Sequence, residues 1–165
     1  MNIFRLVALP AAVAVLISAC TSYWPQSLGN GADMASTTHA MGAPTSEVAL
    51  PDGGHRLEYA RGPFGKHTYL LDFDAQGRLL RWEQVLTEPR FDAIRGGMDS
   101  AEVLAQIGHA SETYYIGWQK QVVWAYRYET PFCRWFQVGI DPQGKVVDTA
   151  YGPDPLCDGG EIKIF

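Results

Sequence analysis

Asp74-Ala75-Gln76-Gly77-Arg78-Leu79 and Asp141-Pro142-Gln143-Gly144-Lys145-Val146 lie 67 positions apart and spell the same turn twice. Asp and Gly supply the dihedral angles that a tight hairpin needs, so each stretch predicts a turn between two strands. The correspondence extends outward from there. At the same offset Tyr69, Leu71 and Phe73 fall on Phe136, Val138 and Ile140, and Leu57-Glu58-Tyr59-Ala60 falls on Trp124-Ala125-Tyr126-Arg127. Further upstream, with one residue less, Asp33 falls on Asp99 and Met41-Gly42 on Ile107-Gly108. A register that holds across a whole unit with one slip marks an internal repeat. The two units cover 29–88 and 96–152.

Each unit reads as a helix followed by antiparallel strands. Asp99 with Glu102 three residues on has the spacing of a capping box. Val103, Leu104 and Ile107 give one apolar stripe, and Gly108 supplies a left-handed stop. Asp33 to Met41 takes the same place in the first unit, with weaker formers in Ser36, Thr37 and Thr38. Strands are expected at 56–60, 68–73 and 79–85, and at 121–128, 134–140 and 146–151, from their length and alternation. Pro51-Asp52-Gly53-Gly54 is another turn. The fold class is therefore α+β: two tandem repeats, each a helical segment packed on a small antiparallel sheet. A unit of about 60 residues is marginal alone, so the two are expected to share an interface.

The chain has 165 residues, 13 Lys+Arg against 18 Asp+Glu and a net charge of −5. No basic stripe exists, which argues against phosphate-driven nucleic-acid binding. Arg5 followed by the apolar run from Leu6 to Ile17 describes a secretory signal peptide, too short for a bilayer that needs about 20 residues. Ile17-Ser18-Ala19-Cys20 resembles the lipobox of bacterial lipoproteins. The resemblance implies cleavage after residue 19, acylation of Cys20 and a membrane anchor. Thr21, where Asp would favour retention in the inner membrane, implies the periplasmic face of the outer membrane. Residues 20–28 then form a lipidated tether, and 153–165 a Pro/Gly-rich tail.

Cys133 and Cys157 remain once Cys20 is assigned. An even pair in an oxidising compartment reads as a disulfide. Two buried thiols are the alternative. A metal site has less in its favour, because His39, His55, His67 and His109 are scattered singly and none sits at ligand spacing from either cysteine.

A small-residue-rich helix ending in an apolar residue and Gly, a strand with Tyr, then an Asp-x-x-Gly-Arg/Lys turn resembles the SmpA/OmlA domain, the BamE-like family of outer-membrane protein assembly factors. The carrying residues are Gly97-Met98-Asp99-Ser100-Ala101-Glu102-Val103-Leu104-Ala105-Gln106-Ile107-Gly108, Trp124-Ala125-Tyr126 and Ile140-Asp141-Pro142-Gln143-Gly144-Lys145-Val146. The match covers most of 29–152, taken twice, whereas single-unit assembly factors carry one domain. The Gly-x-Pro that follows the helix is Gly42-Ala43-Pro44 in the first unit but Gly108-His109-Ala110 in the second. A tandem helix-then-sheet is also the architecture of secreted β-lactamase-inhibitor proteins. The resemblance implies a lipoprotein that binds other envelope or outer-membrane proteins, with a role connected to outer-membrane protein assembly.

No Gly-x-Ser-x-Gly elbow or phosphate loop is present. Asp72 and Asp74 alternate with Leu71 and Phe73 and read as a solvated strand face and a turn rather than an acid/base pair. No catalytic residue, metal or cofactor is assigned. The alternatives to a binding lipoprotein are a periplasmic inhibitor or small-ligand carrier and, less favoured, an envelope hydrolase. Phe136, Val138 and Ile140 share the face that packs on the helix. By parity Trp135, Gln137 and Arg127 point the other way, and Trp82 beside Arg81 and Glu83 is expected on the open face too. Exposed Trp with Arg is the composition of binding hot spots, so Trp135, Arg127, Gln137 and Trp82 are the expected partner-binding residues, the alternative for Trp135 being a buried place at the junction of the units or under the Cys157 tail.

Overall fold

A computed structural model describes residues 24–61 and 64–157. The expected signal peptide, Cys20 with the first residues of the expected tether, and the last eight residues of the chain lie outside the described residues. The order of elements is α1 (Met34–Met41), β1 (Ser46–Ala49), β2 (His55–Ala60), β3 (Thr68–Phe73), β4 (Leu79–Gln84), α2 (Glu88–Phe91), α3 (Ser100–Ile107), β5 (Glu112–Ile116), β6 (Gln121–Arg127), β7 (Arg134–Ile140) and β8 (Val146–Pro153). The fold is α+β, with two four-stranded antiparallel meanders, β1-β2-β3-β4 and β5-β6-β7-β8.

The same local devices build both units. Asp33 caps α1 by accepting a hydrogen bond from the Ser36 N–H at 2.8 Å. Asp99 caps α3 in a full capping box with Glu102. In the hairpins, Asp74 Oδ1 accepts from the N–H groups of Gln76 and Arg78, and Asp141 Oδ1 from those of Gln143 and Lys145. Each turn is closed by a glycine with positive φ, Gly77 and Gly144. A β-bulge follows each turn, between Asp72 and Phe73 in one sheet and between Gly139 and Ile140 in the other. It leaves Leu80 and Val147 without a cross-strand partner in the register and reverses side-chain parity beyond them.

Each sheet buries one face against its own helix. Leu57, Tyr59, Tyr69, Leu71, Phe73 and Leu79 pack with Met41 of α1. Tyr126, Phe136, Val138, Ile140 and Val146 pack with Val103 and Ile107 of α3. The Tyr59 hydroxyl donates to the Gly42 carbonyl at 3.2 Å, and the Tyr126 hydroxyl to the Gly108 carbonyl at 3.1 Å. Both bonds tie the second strand of a sheet to the C-terminus of its helix. Phe91 of α2 plugs the second core, stacked 4.4 Å from Phe136.

The structure differs from several expectations. Each sheet has a fourth strand, β1 or β5, in segments read as connections. Their exposed residues give no alternation to detect. The described end of the tether is not loose: Pro25 is buried and Leu28 packs on the first core. The last strand runs on to Pro153, two residues past its expected end. Finally, Trp82 faces inward, opposite Leu71 and against Tyr69, because the bulge shifts the parity of β4.

Candidate binding groove

The second face of the first sheet carries Arg56, Glu58, Leu70, Asp72, Arg81 and Glu83, aligned by the β2–β3–β4 register. Helix α3 of the second unit lies across it. The two meet at the C-terminal end of α3, where Glu58 accepts from the His109 N–H at 2.6 Å. The other Glu58 oxygen lies 2.7 Å from His109 Nδ1 and accepts from Ser46 Oγ at 2.8 Å. Further along, Arg56 donates to the Ala105 carbonyl at 3.1 Å, satisfying an end group of the helix. Gly108 makes this approach possible. Its φ is +72°, and a Cβ there would sit 2.6 Å from Glu58 Oε1 and 2.8 Å from Thr68 Cγ2.

Asp72, read from the sequence as solvated, is buried. Arg56 grips it with both Nε (2.6 Å) and a terminal nitrogen (2.9 Å), and Arg81 Nε adds a bond of 2.8 Å. Burial alone would push its carboxyl up. The hydrogen bonds from Arg56 and Arg81 outweigh burial and hold it below the ordinary carboxylate range. This cluster fixes the Arg56 side chain that reaches α3.

Between α3 and the β1–β2 side of the sheet the layers separate. The groove left there has a volume of about 420 Å³. Val48, Leu50, Pro51, Leu70, Ala101 and Leu104 make it apolar, and Arg56, Glu58 and His109 set polar groups along it. Its outer wall, β1, pairs only with β2, so one edge of that strand is open. Pockets of roughly 300–1,000 Å³ with an apolar lining and a few placed polar groups are the usual form of a binding site. Among the described residues no group of three or more His, Cys, Asp or Glu is arranged to hold a metal ion.

Three of the four expected partner-binding residues come together on the other sheet, and two of them are not exposed. Trp135 and Arg127 retain only 5% and 4% of their accessible surface. The Arg127 guanidinium lies 5.0 Å from the Trp135 ring centroid and pairs with Asp154 at 2.9 Å and Glu112 at 3.1 Å. Tyr114 stacks beside Trp135, and Gln137 donates to the Tyr114 hydroxyl at 2.9 Å. The parity expected for Trp135, Gln137 and Arg127 holds, because all three lie on the face opposite Phe136 and Val138. Exposure fails because Tyr114, Asp154 and Glu112 converge on that face. Trp82, the fourth, belongs to the first core. A disulfide joins Cys133 to Cys157, with Cα atoms 6.2 Å apart. Arg134, next to it, is engaged by Glu88 at 2.6 Å and by the Tyr128 hydroxyl.

Sequence reasoning does not find the groove residues. The one signal was the departure Gly108-His109-Ala110 from Gly42-Ala43-Pro44, which puts a hydrogen-bonding side chain where α3 meets the first sheet.

No family model matches the chain, and no curated protein matches it. Among solved structures it is similar to a cysteine-rich secretory protein from Staphylococcus aureus subsp. aureus Mu50, at 14% identity and a TM-score of 0.30, over 77% of this chain and 45% of that one. It is also similar to an extracellular protein containing a SCP domain from Bacillus anthracis str. Ames, at 11% identity and a TM-score of 0.29, over 93% and 50% of the two chains. The chain thus spans about half the length of the solved chains it matches, and at these TM-scores the likeness carries no argument about fold or activity.

Proposed function

We propose that this protein is a non-enzymatic outer-membrane lipoprotein, anchored at Cys20 on the periplasmic face, that binds another envelope protein through the groove between α3 and β1. The anchor reading is supported by Ile17-Ser18-Ala19-Cys20 and Thr21. Two SmpA/OmlA-like units and a connection to outer-membrane protein assembly are supported by the repeated helix-Gly and Asp-x-x-Gly-Arg/Lys motifs. The observation that carries the binding reading is the apolar groove of about 420 Å³ beside an open strand edge. An extended segment can add to such an edge through its main chain while a side chain enters the groove.

A photo-crosslinking residue in place of Val48 tests this in intact envelopes, since Val48 is 55% exposed and its replacement leaves the core untouched. The expected result is one discrete protein adduct at Val48 and none at the comparably exposed Val147 of the second sheet. No adduct at Val48, or the same adducts at both positions, would sink the reading. The groove volume also favours a second reading, a small apolar ligand. A non-covalent small molecule that stays with the purified protein in native mass spectrometry would decide for it.

A further inference from the structure

The groove is not where the exposed aromatic rings are. Phe64 and Phe132 keep 71% and 73% of their surface and Trp24 keeps 49%. These residues lie on different segments, ahead of β3, ahead of β7 and at the start of the described chain. Two contacts bring them to one edge. Lys66, two residues after Phe64, pairs with Glu129, three residues before Phe132, at 3.8 Å. The Trp24 ring lies 5.2 Å from His67 and 6.1 Å from Tyr69, edge-on to both. Trp24, Phe64, Lys66, His67 and Tyr69 line a shallow open recess of about 340 Å³. Charges at this edge are in part paired: Lys66 faces Glu129, and Arg134, whose guanidinium lies 5.5 Å from the Phe132 ring, faces Glu88, while Arg61 also lines the recess.

The covalent chain limits where this edge can go. Four Cα steps separate Cys20 from Trp24, a reach of at most ~14 Å. If Cys20 carries acyl chains in a bilayer, Trp24 is held within that distance of the lipid surface. Amphipathic and aromatic rings with mixed, paired charge around them suit the boundary between headgroups and acyl chains. A weak apolar contact also gains from the anchor, which turns it into an intramolecular event at high effective concentration. The other large exposed indole, Trp118, sits before β6, and the seven residues of Gln121–Arg127 place it roughly 24 Å from this edge.

We propose that the Trp24–Phe64–Phe132 edge lies against the bilayer, its rings in the interfacial layer, and that this contact orients the anchored protein with the β5–β6 turn pointing away from the membrane. The proposal rests on the lipoprotein reading of Cys20. It commits to a lipid surface as the occupant of the edge.

The test uses the full protein, purified from membranes and reconstituted in phosphatidylcholine vesicles with brominated acyl chains. Bromine quenches tryptophans only at membrane depth, and the chain has five. Trp24→Phe is expected to remove most of the quenchable emission and Trp118→Phe to remove none. Phe132→Trp in the Trp24→Phe background is expected to restore quenching. Acylated, vesicle-bound protein whose quenching does not change with Trp24→Phe would overturn the proposal and leave the edge for a protein partner. Intact mass of the same sample separates this from failure of the underlying reading: Cys20 without acyl mass overturns the anchor itself.

Discussion

The outer faces of the two sheets stand on matching backbone positions and carry opposite chemistry. Where the first sheet has Arg56, Glu58, Leu70 and Asp72, the second has Val123, Ala125, Gln137 and Gly139. The first face is charged because it meets a helix: Glu58 takes a backbone N–H just past the end of α3, and Arg56 takes a carbonyl near it. The second face closes on itself. Tyr114 reaches Trp135 and Gln137, Arg127 is clamped by Asp154 and Glu112, and Asp148 fills the space a Cβ would take at Gly139. One scaffold has thus been finished in two ways, as a docking face for the following unit and as a sealed end.

The sharpest way to break that comparison is at positions 135 and 68, which the repeat places opposite each other. Trp135 is a buried, ring-stacked member of the sealed face, so Trp135→Ala is expected to cost ~3–5 kcal/mol, as for other large aromatic truncations. Thr68→Ala removes one small side chain at the matching place and is expected to cost about 1 kcal/mol or less. Urea unfolding of both variants checks the pair. A Trp135→Ala variant as stable as wild type would mean that the second face is an open surface and not a sealed one.

The glycines after the two helices sharpen the comparison from the other side. Gly42 and Gly108 have the same unusual backbone, with φ of +83° and +72°. Alanine at either is strained by ~1–3 kcal/mol. At Gly42 the new Cβ meets nothing within 4 Å, whereas at Gly108 it meets Glu58 and Thr68 of the other unit. Gly108→Ala is therefore expected to cost roughly 1–3 kcal/mol more than Gly42→Ala, the usual penalty for overpacking. Matching midpoints for the two variants would show that the units do not meet at Gly108.

How far the sequence could be read follows from where each signal sits. Turns, caps and core faces are local: Asp74 and Gly77, Asp99 and Glu102, and the stripe Phe136-Val138-Ile140 each declare themselves within a few residues. Trp82 is expected on the open face from its neighbours Arg81 and Glu83, but a strand alternates, so with those two on the outer face Trp82 turns inward, and the bulge at Leu80 that sets this parity is not announced by anything in Leu79-Leu80-Arg81. The edge strands Ser46–Ala49 and Glu112–Ile116 escaped because an exposed strand needs no alternation. The groove escaped for a different reason. Glu58 and His109 are 51 positions apart, and only the stacking of one unit on the next brings them within bonding distance.

The smallest expected effect concerns acid stability and again separates the two faces. Asp72 is held below its ordinary value of 3.8 in the folded chain, against the pull of burial, by Arg56 and Arg81. A carboxyl with a depressed folded value adds stability above its unfolded value, and that addition disappears as pH falls through the folded one. The contribution of Asp72 is therefore complete at neutral pH and starts to fade near pH 4. It is gone below the folded value. Asp72→Asn is expected to cost about 1–2 kcal/mol at pH 7, the range for hydrogen bonds to a charged group with part of the pair open to water. The same substitution is expected to cost less at pH 3, so the two stability curves converge on the acid side. The matching position in the second sheet is Gly139, which titrates nothing, so the part of the acid loss that Asp72 causes should lie in the first unit. Amide exchange at pH 3 and pH 7 checks where the loss occurs. Parallel curves for wild type and Asp72→Asn, or an acid loss confined to β6 and β7, would remove the Arg56–Asp72–Arg81 cluster as the brace of the docking face.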